Sequence, residues 1–273
     1  MAIDLDSLWN FGNPELSEQN FIAALDGAST DEAFVLRTQI ARTHGLRRNF
    51  DKAREVLAGL HDSLANVGAE ARTRYYLELG RSYSSAAHSP DQESDDTRQR
   101  AREAYLGAIN TARDAGLDGL RVDALHMMEF VETSLDAKLR WIHEALDLAT
   151  SSTQPTAIRW QAALRNNAGY ALHRMGRYQE ALEEFEQALV LRQAQGNPEG
   201  IRIARWMVAW TLRFLGRHTE ALDMQHRLEK EYAEASRPNT YVFEELAELY
   251  RALGDSAKSE HYARMKQQLE SVS

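Results

Sequence analysis

Two stretches, GRYQEAL at residues 176–182 and GRHTEAL at residues 216–222, decide how this 273-residue chain is expected to fold. The glycines that open them, Gly176 and Gly216, are 40 residues apart, and Gly254 opens a related stretch 38 residues further on. A motif that recurs at a fixed period of this size is typical of arrays in which one supersecondary unit stacks on the next. The recurrence therefore predicts a repeat protein rather than a single globular core.

Prolines recur in phase with these glycines. Pro155, Pro198 and Pro238 are 43 and 40 residues apart, and each comes just before a stretch of helix-forming residues. Proline in the first turn of a helix costs no hydrogen bond, because the nitrogen at that position has no partner within the helix. We therefore expect a new repeat to begin close to each of these prolines.

Each repeat reads as two amphipathic helices. In the fourth repeat the pattern predicts a first helix over about 157–175 and a second over about 178–195. On the second helix Ala181, Phe185 and Ala188 are spaced i, i+4 and i+7, which places them on one face. The connection between the helices is short, so they are expected to be antiparallel neighbours with the small side chains allowing close approach.

The composition excludes several classes of protein. The net charge is −9, whereas a free-standing nucleic-acid binder usually carries a basic excess. Because there is no cysteine, disulfides, thiolate metal sites and a cysteine nucleophile are excluded. The N-terminal residues do not resemble a secretory signal, and no apolar run reaches the length of a membrane span. We therefore expect a cytoplasmic protein with no nucleic-acid and no membrane partner.

The pattern of small and aromatic residues resembles that of the tetratricopeptide-repeat (TPR) family. That family has a small residue on the first helix of each repeat and a small–aromatic–small set on the second, which Gly169, Ala181, Phe185 and Ala188 match. Partial matches in the other repeats are Ala41, Ala53 and Leu57; Gly80, Ala101, Tyr105 and Ala108; Ala209 and Ala221, with Gln225 in place of the aromatic residue; and Ala247 and Ser259.

The spacing within the repeats supports this resemblance. The small residues of the two helices are 12 positions apart in four repeats, as in Gly169 and Ala181, whereas Gly80 and Ala101 are 21 apart. The second repeat is therefore expected to carry a nine-residue insertion, within an acidic loop at residues 84–98. The period near 40 is longer than the usual 34, which resembles the long-helix repeats of kinesin light chain and of bacterial peptide sensors, and a group of bacterial TPR proteins.

The resemblance implies an all-α fold. It implies an α-solenoid, a right-handed superhelix of about six TPR-like helix pairs that forms a single domain over residues 31–273. Residues 1–30 are expected to form an N-terminal capping segment, in which Asn13 and Pro14 start a helix. In such arrays the first helices of the repeats line the concave side, and in the TPR family this groove binds peptides.

Candidate groove residues are densest on the first helices of the fourth and fifth repeats. An asparagine amide can bond a peptide backbone as both donor and acceptor, and the long-helix TPRs use asparagines in this way. Tryptophan and arginine are the residues most often found at binding hot spots. The competing interpretation is that the tryptophans pack between repeats, and we expect one of the two to be core and the other exposed. The candidates are Asn166, Asn167, Tyr170, His173, Trp206, Trp210 and Arg213.

The first three repeats add charged candidates to the same concave face. Arginine forks recognise carboxylates, so these positions suggest a partner with an acidic or carboxylate-terminal segment. The lysine and asparagine pattern of the TPR carboxylate clamp is absent. The competing interpretation is a solvated arginine face, or an internal pair between Arg81 and Glu78. The candidates are Gln39, Arg42, Arg74, Glu78, Arg81 and His126.

Catalytic and metal motifs are missing from the sequence. His143 and Glu144 are not part of an HExxH motif, because Asp147 occupies the position of the second histidine. His126 and Glu129 lack further ligands nearby in sequence, and no phosphate-binding glycine loop occurs. We therefore expect no catalytic residue, no metal, no cofactor and no enzyme activity. An enzyme with a pocket around Glu78, Arg81 and His126 is the weaker alternative.

These observations favour a non-enzymatic adaptor that binds another protein or a peptide in the concave groove. The alternative is a regulatory sensor, in which a small molecule or a signalling peptide binds inside the superhelix and changes its curvature. The sequence is compatible with a monomer or a homodimer.

Overall fold

The computed structural model describes residues 3–271, and these form helices joined by turns, with no strand among them. The all-α prediction is therefore confirmed. The chain divides into two compact units, Met1–Trp160 and Gln161–Ser273. The sequence-based division, with a capping segment at 1–30 and one domain over 31–273, stays a prediction.

The first unit contains an N-terminal segment and three helix pairs. The pairs are α3 with α4, α5 with α6 and α7 with α8. The helices are α1 (Leu5–Leu8), α2 (Pro14–Ala23), α3 (Thr30–Leu46), α4 (Phe50–Ala58), α5 (Ala69–Tyr83), α6 (Asp95–Asp114), α7 (Asp118–Met127), α8 (Leu135–Ser151) and α9 (Pro155–Ile158), with 3-10 turns at His61–Asn66, Pro90–Gln92 and Met128–Phe130.

The second unit contains three further pairs, α10 with α11, α12 with α13 and α14 with α15. Its helices are α10 (Gln161–Arg174), α11 (Tyr178–Gln195), α12 (Pro198–Phe214), α13 (His218–Glu234), α14 (Thr240–Ala252) and α15 (Ser256–Glu270). The described residues thus hold six helix pairs, as predicted. The single helix predicted over 157–175 is wrong in one respect, because Arg159 and Trp160 form a turn between α9 and α10. There the Trp160 N–H donates to the carbonyl of Ala157, three residues back.

Capping residues fix where these helices begin and end. Gly176, Gly216 and Gly254 follow α10, α12 and α14 with φ of 75°, 73° and 80°, a conformation that favours glycine. Pro155 and Pro198 are first residues of helices, as expected, whereas Pro238 precedes Asn239, whose side chain caps α14. The recurring glycines and prolines of the sequence therefore mark real helix ends.

A glycine and an aromatic ring fill the space between the two helices of a pair. Phe185 is fully buried against Gly169. A β-carbon added at Gly169 would lie 2.7 Å from the Cε1 atom of Phe185. Tyr105 is likewise fully buried and lies against Gly80 on α5. The family pattern thus corresponds to a physical contact, and it is kept in the second repeat across the insertion.

The N-terminal residues pack against the first repeat. Phe21 on α2 is fully buried with Leu36 and Ile40 of α3, and Trp9 packs at the edge of this cluster. This covers apolar surface that the end of a helix array would otherwise expose. In residues 3–271 no helix is both long and apolar enough to cross a membrane.

Candidate functional site

The first helices of the second unit enclose an open pocket of about 680 Å³. Four of the predicted residues line it, namely Tyr170, Trp206, Trp210 and Arg213. Asn166 and Asn167 are half-buried on α10 and are not among its lining residues. The residues of the lining that the sequence did not suggest are Arg174, Ile203, Met207, Tyr232, Asn239, Tyr241, Glu244, Glu245 and Glu248.

A row of aromatic rings forms the floor of this pocket. Trp206 and Trp210, one turn apart on α12, stack with 5.6 Å between ring centroids and 19° between planes. Tyr170 of α10 extends the row, with its ring 6.2 Å from that of Trp210. At the other end Tyr241 meets Trp206 edge to face, and its carbonyl accepts a hydrogen bond from Trp206 Nε1 at 3.1 Å.

Both tryptophans are half-buried. The expectation that one would be core and the other exposed is therefore wrong. The i, i+4 spacing turns both side chains to the same face of α12, so both rings are buried to a similar extent.

His173 lies beneath the floor and does not line the pocket. Its side chain is buried, and its ring stacks on Trp210 with 3.4 Å between centroids. Burial, together with the positive charges of Arg213 and Arg174, lowers the pKa of His173 to about 4. The neutral imidazole therefore supports the ring of Trp210 from below.

Arg213, predicted as a contact for the partner, is already paired within the protein. Its Nε and Nη2 atoms donate to the two carboxylate oxygens of Glu245 on α14, at 2.5 and 3.1 Å. Glu245 is buried, and this burial raises its pKa although Arg213 acts in the opposite direction. The pair connects α12 to α14, so it holds the two walls of the pocket together.

The rim of the pocket carries opposite charges at its two ends. Arg174 on α10 is exposed and bonds the hydroxyl of Tyr170 at 3.4 Å, and no carboxylate of the described residues pairs with it. On α14, Glu244 accepts from Lys266 at 3.0 Å and Glu248 pairs with a neighbouring arginine. The pocket is therefore positive at its α10 end and acidic at its α14 end.

In the first unit two of the predicted arginines, Arg42 and Arg81, belong to a partly buried ion network. Arg42 and Arg81 both donate to Oε1 of Glu78, at 3.4 and 2.6 Å, and Arg81 also donates to Asp123 at 2.5 Å. Burial opposes the charge on Arg81, but Asp123 and Glu78 outweigh it and raise the pKa of Arg81 above its ordinary value. The competing interpretation, an internal pair between Arg81 and Glu78, is confirmed.

The other predicted residues of the first unit also have internal partners. Arg74 pairs with Glu70 at 2.9 Å, one turn away on α5. His126 bonds Glu129 at 2.9 Å through Nδ1. These residues thus lie on first helices, as predicted, but their side chains bond to carboxylates of the same chain.

The N-terminal segment contacts two of the predicted residues, Gln39 and Arg42. Gln39 is buried and accepts a hydrogen bond from Trp9 Nε1 at 3.2 Å. The guanidinium of Arg42 lies 5.6 Å from the ring of Trp9 and 5.9 Å from that of Phe11. Sequence reasoning placed these two aromatic residues in the cap and missed their contact with the groove residues.

The residues that the structure describes contain no group of three or more histidine, aspartate or glutamate side chains arranged to hold a metal ion. The groups that line the pocket of the second unit are stacked aromatic rings and a charged rim.

Comparisons with known proteins address the fold. Residues 160–230 match the model of the tetratricopeptide repeat family, and no curated protein matches the sequence. Among solved structures, the chain is similar to a signal transduction ATPase with numerous domains that carries a tetratricopeptide repeat sensor, from Pyrococcus horikoshii. The identity is 12% and the TM-score 0.73 over 94% of this chain, which spans 39% of that protein.

Two further structures share the fold. One is a Rap protein complexed with competence and sporulation factor, at 14% identity and a TM-score of 0.57, covering 98% of this chain and 82% of that one. The other is BtubC from P. vanneervenii, at 15% identity and a TM-score of 0.51, covering 99% and 92%. The family match over residues 160–230, the stacked helix pairs and these likenesses show that the chain has the fold of a tetratricopeptide-repeat array.

Proposed function

We propose that this chain is a non-enzymatic binding protein that holds a segment of another protein in the pocket formed by α10, α12 and α14. The observation that carries the proposal is the stack of Trp206 and Trp210 in the floor of an open pocket of about 680 Å³. Half-exposed tryptophans in a concave site bury much apolar area at small entropic cost when a partner covers them. A Rap protein of similar fold has been solved in complex with a separate factor.

The charges at the rim suggest the direction of the bound segment. Arg174 would receive an acidic side chain or a terminal carboxylate at the α10 end, where an arginine fork can bond both oxygens. Glu244 and Glu248 would receive a basic side chain at the α14 end. The acidic group of the partner is thus assigned to Arg174, since Arg42, Arg74 and Arg81 already have carboxylate partners.

The test is a selection of peptides from a random display library on the full chain, followed by calorimetric titration of the selected peptides. Trp210→Ala should weaken binding by about 2 kcal/mol, roughly 30-fold in Kd. Arg174→Glu should weaken the binding of peptides with an acidic end more than the binding of neutral peptides. Val190→Ala, at a 64% exposed position on α11, is the control and should bind as the wild type does.

Selection of no peptide, or equal affinity for wild type and a folded Trp210→Ala variant, would contradict the proposal. The sensor alternative would then be favoured, and small-angle scattering with candidate small molecules would test it. The cytoplasmic location and the monomeric or homodimeric state stay predictions.

A further inference from the structure

A chain of hydrogen bonds joins α13 to α14 in the second unit, through side chains that do not line the binding pocket. The hydroxyl of Tyr250 on α14 lies 2.8 Å from Nε2 of His226 on α13. Nδ1 of the same imidazole lies 3.0 Å from Oε2 of Glu229, one turn further along α13. The three groups therefore stand in the order carboxylate, imidazole, hydroxyl.

The carboxylate fixes the roles of the two ring nitrogens. An ionised carboxylate only accepts hydrogen bonds, so Nδ1 of His226 carries the proton that it donates to Glu229. In the neutral ring Nε2 is then an acceptor, and the hydroxyl of Tyr250 donates to it. A nucleophile bonded to a base that a third group orients is the arrangement by which proteins activate hydroxyl groups, and tyrosine is among the side chains that form covalent intermediates.

A neighbouring tyrosine provides a contrast. Tyr262 of α15 stacks on Tyr250 with 5.7 Å between ring centroids and 2° between planes, but its hydroxyl donates to Oε2 of Glu229 at 3.3 Å. Burial and the negative charge of Glu229 raise the pKa of Tyr262, so it is held as a neutral phenol. Of the two stacked tyrosines, Tyr250 is the one whose hydroxyl meets an imidazole.

The cluster lies at the surface of the second unit. The side chain of His226 is 39% exposed and Tyr250 is half-buried. Nζ of Lys258 lies 4.8 Å from the centroid of the Tyr250 ring, where its positive charge favours negative charge that develops on the phenol. The charge of Glu229 repels polyanionic phosphoryl donors, so a neutral carbonyl compound is the better-matched electrophile.

We propose that Tyr250 is an acyl-acceptor site, which takes an acyl group from a neutral activated ester or thioester. The phenolic oxygen bonds to the carbonyl carbon, its proton passes to Nε2 of His226, and Glu229 stabilises the imidazolium. The leaving group departs with the electron pair of the broken bond and takes the proton from His226, which leaves an O-acyl tyrosine. This site goes beyond the proposed binding of a protein segment and does not depend on it.

The small neutral ester p-nitrophenyl acetate tests the proposal on the full chain. Acetylation of each tyrosine is followed over time by peptide mass spectrometry, and release of p-nitrophenol is the parallel readout. Tyr250 should be acetylated at least about tenfold faster than Tyr241, although Tyr241 is 64% exposed. This comparison is made within the wild-type protein and needs no variant. The proposal would be overturned if Tyr250 reacted no faster than Tyr241.

Two variants separate activation by His226 from simple exposure. His226→Gln removes the base and should slow the acetylation of Tyr250 by about 100-fold, with Tyr241 unchanged as the internal reference. Tyr262→Phe leaves the bond between Tyr250 and His226 in place and, as the matched control, should react at the wild-type rate. Equal rates at Tyr250 in wild type and folded His226→Gln would refute the proposal.

Glu229→Gln replaces His226→Gln if the latter does not fold. The glutamine keeps an acceptor for Nδ1 of His226 but removes the charge that stabilises the imidazolium, so acetylation of Tyr250 should slow at least about tenfold. A wild-type rate at Tyr250 in this variant would count equally against the proposal.

Discussion

The imidazole of His173 lies flat against the indole of Trp210, with 3.4 Å between the ring centroids and 19° between the planes. The histidine is buried, and its pKa is lowered to about 4 by that burial and by the charges of Arg213 and Arg174. The floor of the pocket in the second unit therefore depends on a histidine that is neutral near pH 7.

This relationship predicts a specific loss of stability in acid. In the unfolded chain a histidine has a pKa near 6.5. Between about pH 6.5 and 4 the unfolded state therefore binds a proton that the folded state does not, and stability falls as the pH is lowered. His173→Phe keeps an aromatic ring but cannot titrate.

Urea denaturation at pH 7 and pH 4.5 gives the free energy of unfolding of wild type and of His173→Phe. The difference between the two proteins in their loss of this free energy measures the effect. Wild type should lose more free energy of unfolding than the variant, with an upper limit of about 3 kcal/mol. His44 and His88, whose pKa values burial also lowers, remain in both proteins and cancel in the difference. The same pH dependence in both proteins would show that His173 is protonated as easily when folded.

The close contact between Gly169 and Phe185 predicts that a larger residue at position 169 would destabilise the protein. Alanine at this position should destabilise the protein by about 1–3 kcal/mol, because its β-carbon would lie 2.7 Å from the ring of Phe185. This outcome opposes helix propensity, which favours alanine over glycine by about 1 kcal/mol. Gly45→Ala, at an open helical position, is the matched control and should be neutral or slightly stabilising in thermal and urea denaturation. If the two variants behaved alike, the close contact would not be limiting.

Gln225 predicts a stabilising substitution. It stands where the repeat pattern has an aromatic residue, it is fully buried, and neither its amide oxygen nor its amide nitrogen has a hydrogen-bond partner among residues 3–271. Gln225→Met keeps the length of the side chain and removes both groups. We expect the free energy of unfolding to rise by about 1–3 kcal/mol.

Calorimetry on the Gln225→Met protein and on a control tests this expectation. Gln179→Met, at an exposed position on α11, should change the free energy of unfolding by less than about 0.5 kcal/mol. A lower Tm for Gln225→Met would mean that the amide has a partner, for example a buried water, that contributes to stability.

The helix pairs could be predicted from the sequence because the signals for them are local. The glycine after each first helix, and the contact of Phe185 with Gly169, both act within one repeat, over short distances along the chain. Trp206 and Trp210 were found for the same reason, since i, i+4 spacing places two side chains on one helix face. Their joint stacking, however, needed the rotamers that only the structure supplies.

The charged part of the site could not be predicted in the same way. Arg213 meets Glu245, and Arg81 meets Asp123, across helices whose relative rotation the sequence does not specify. Sequence reasoning treated these arginines as available to a partner, and gave an internal pair between Arg81 and Glu78 only as the competing interpretation. Opposite charges on successive first helices, 32 residues apart for Arg213 and Glu245 and 42 for Arg81 and Asp123, were the signal that could have suggested such pairs.

The contact of Tyr105 with Gly80 has a consequence for the loop between their helices. The hydroxyl of Tyr105 donates to the carbonyl of Ser84 at 2.5 Å, so the packing of α5 on α6 is held by residues on either side of the exposed residues 91–94 and not by those residues themselves. Closing a longer loop costs only logarithmically more with its length. A whole folded domain could therefore be inserted after Gln92, so this turn is a site at which a second protein can be fused into the repeat array.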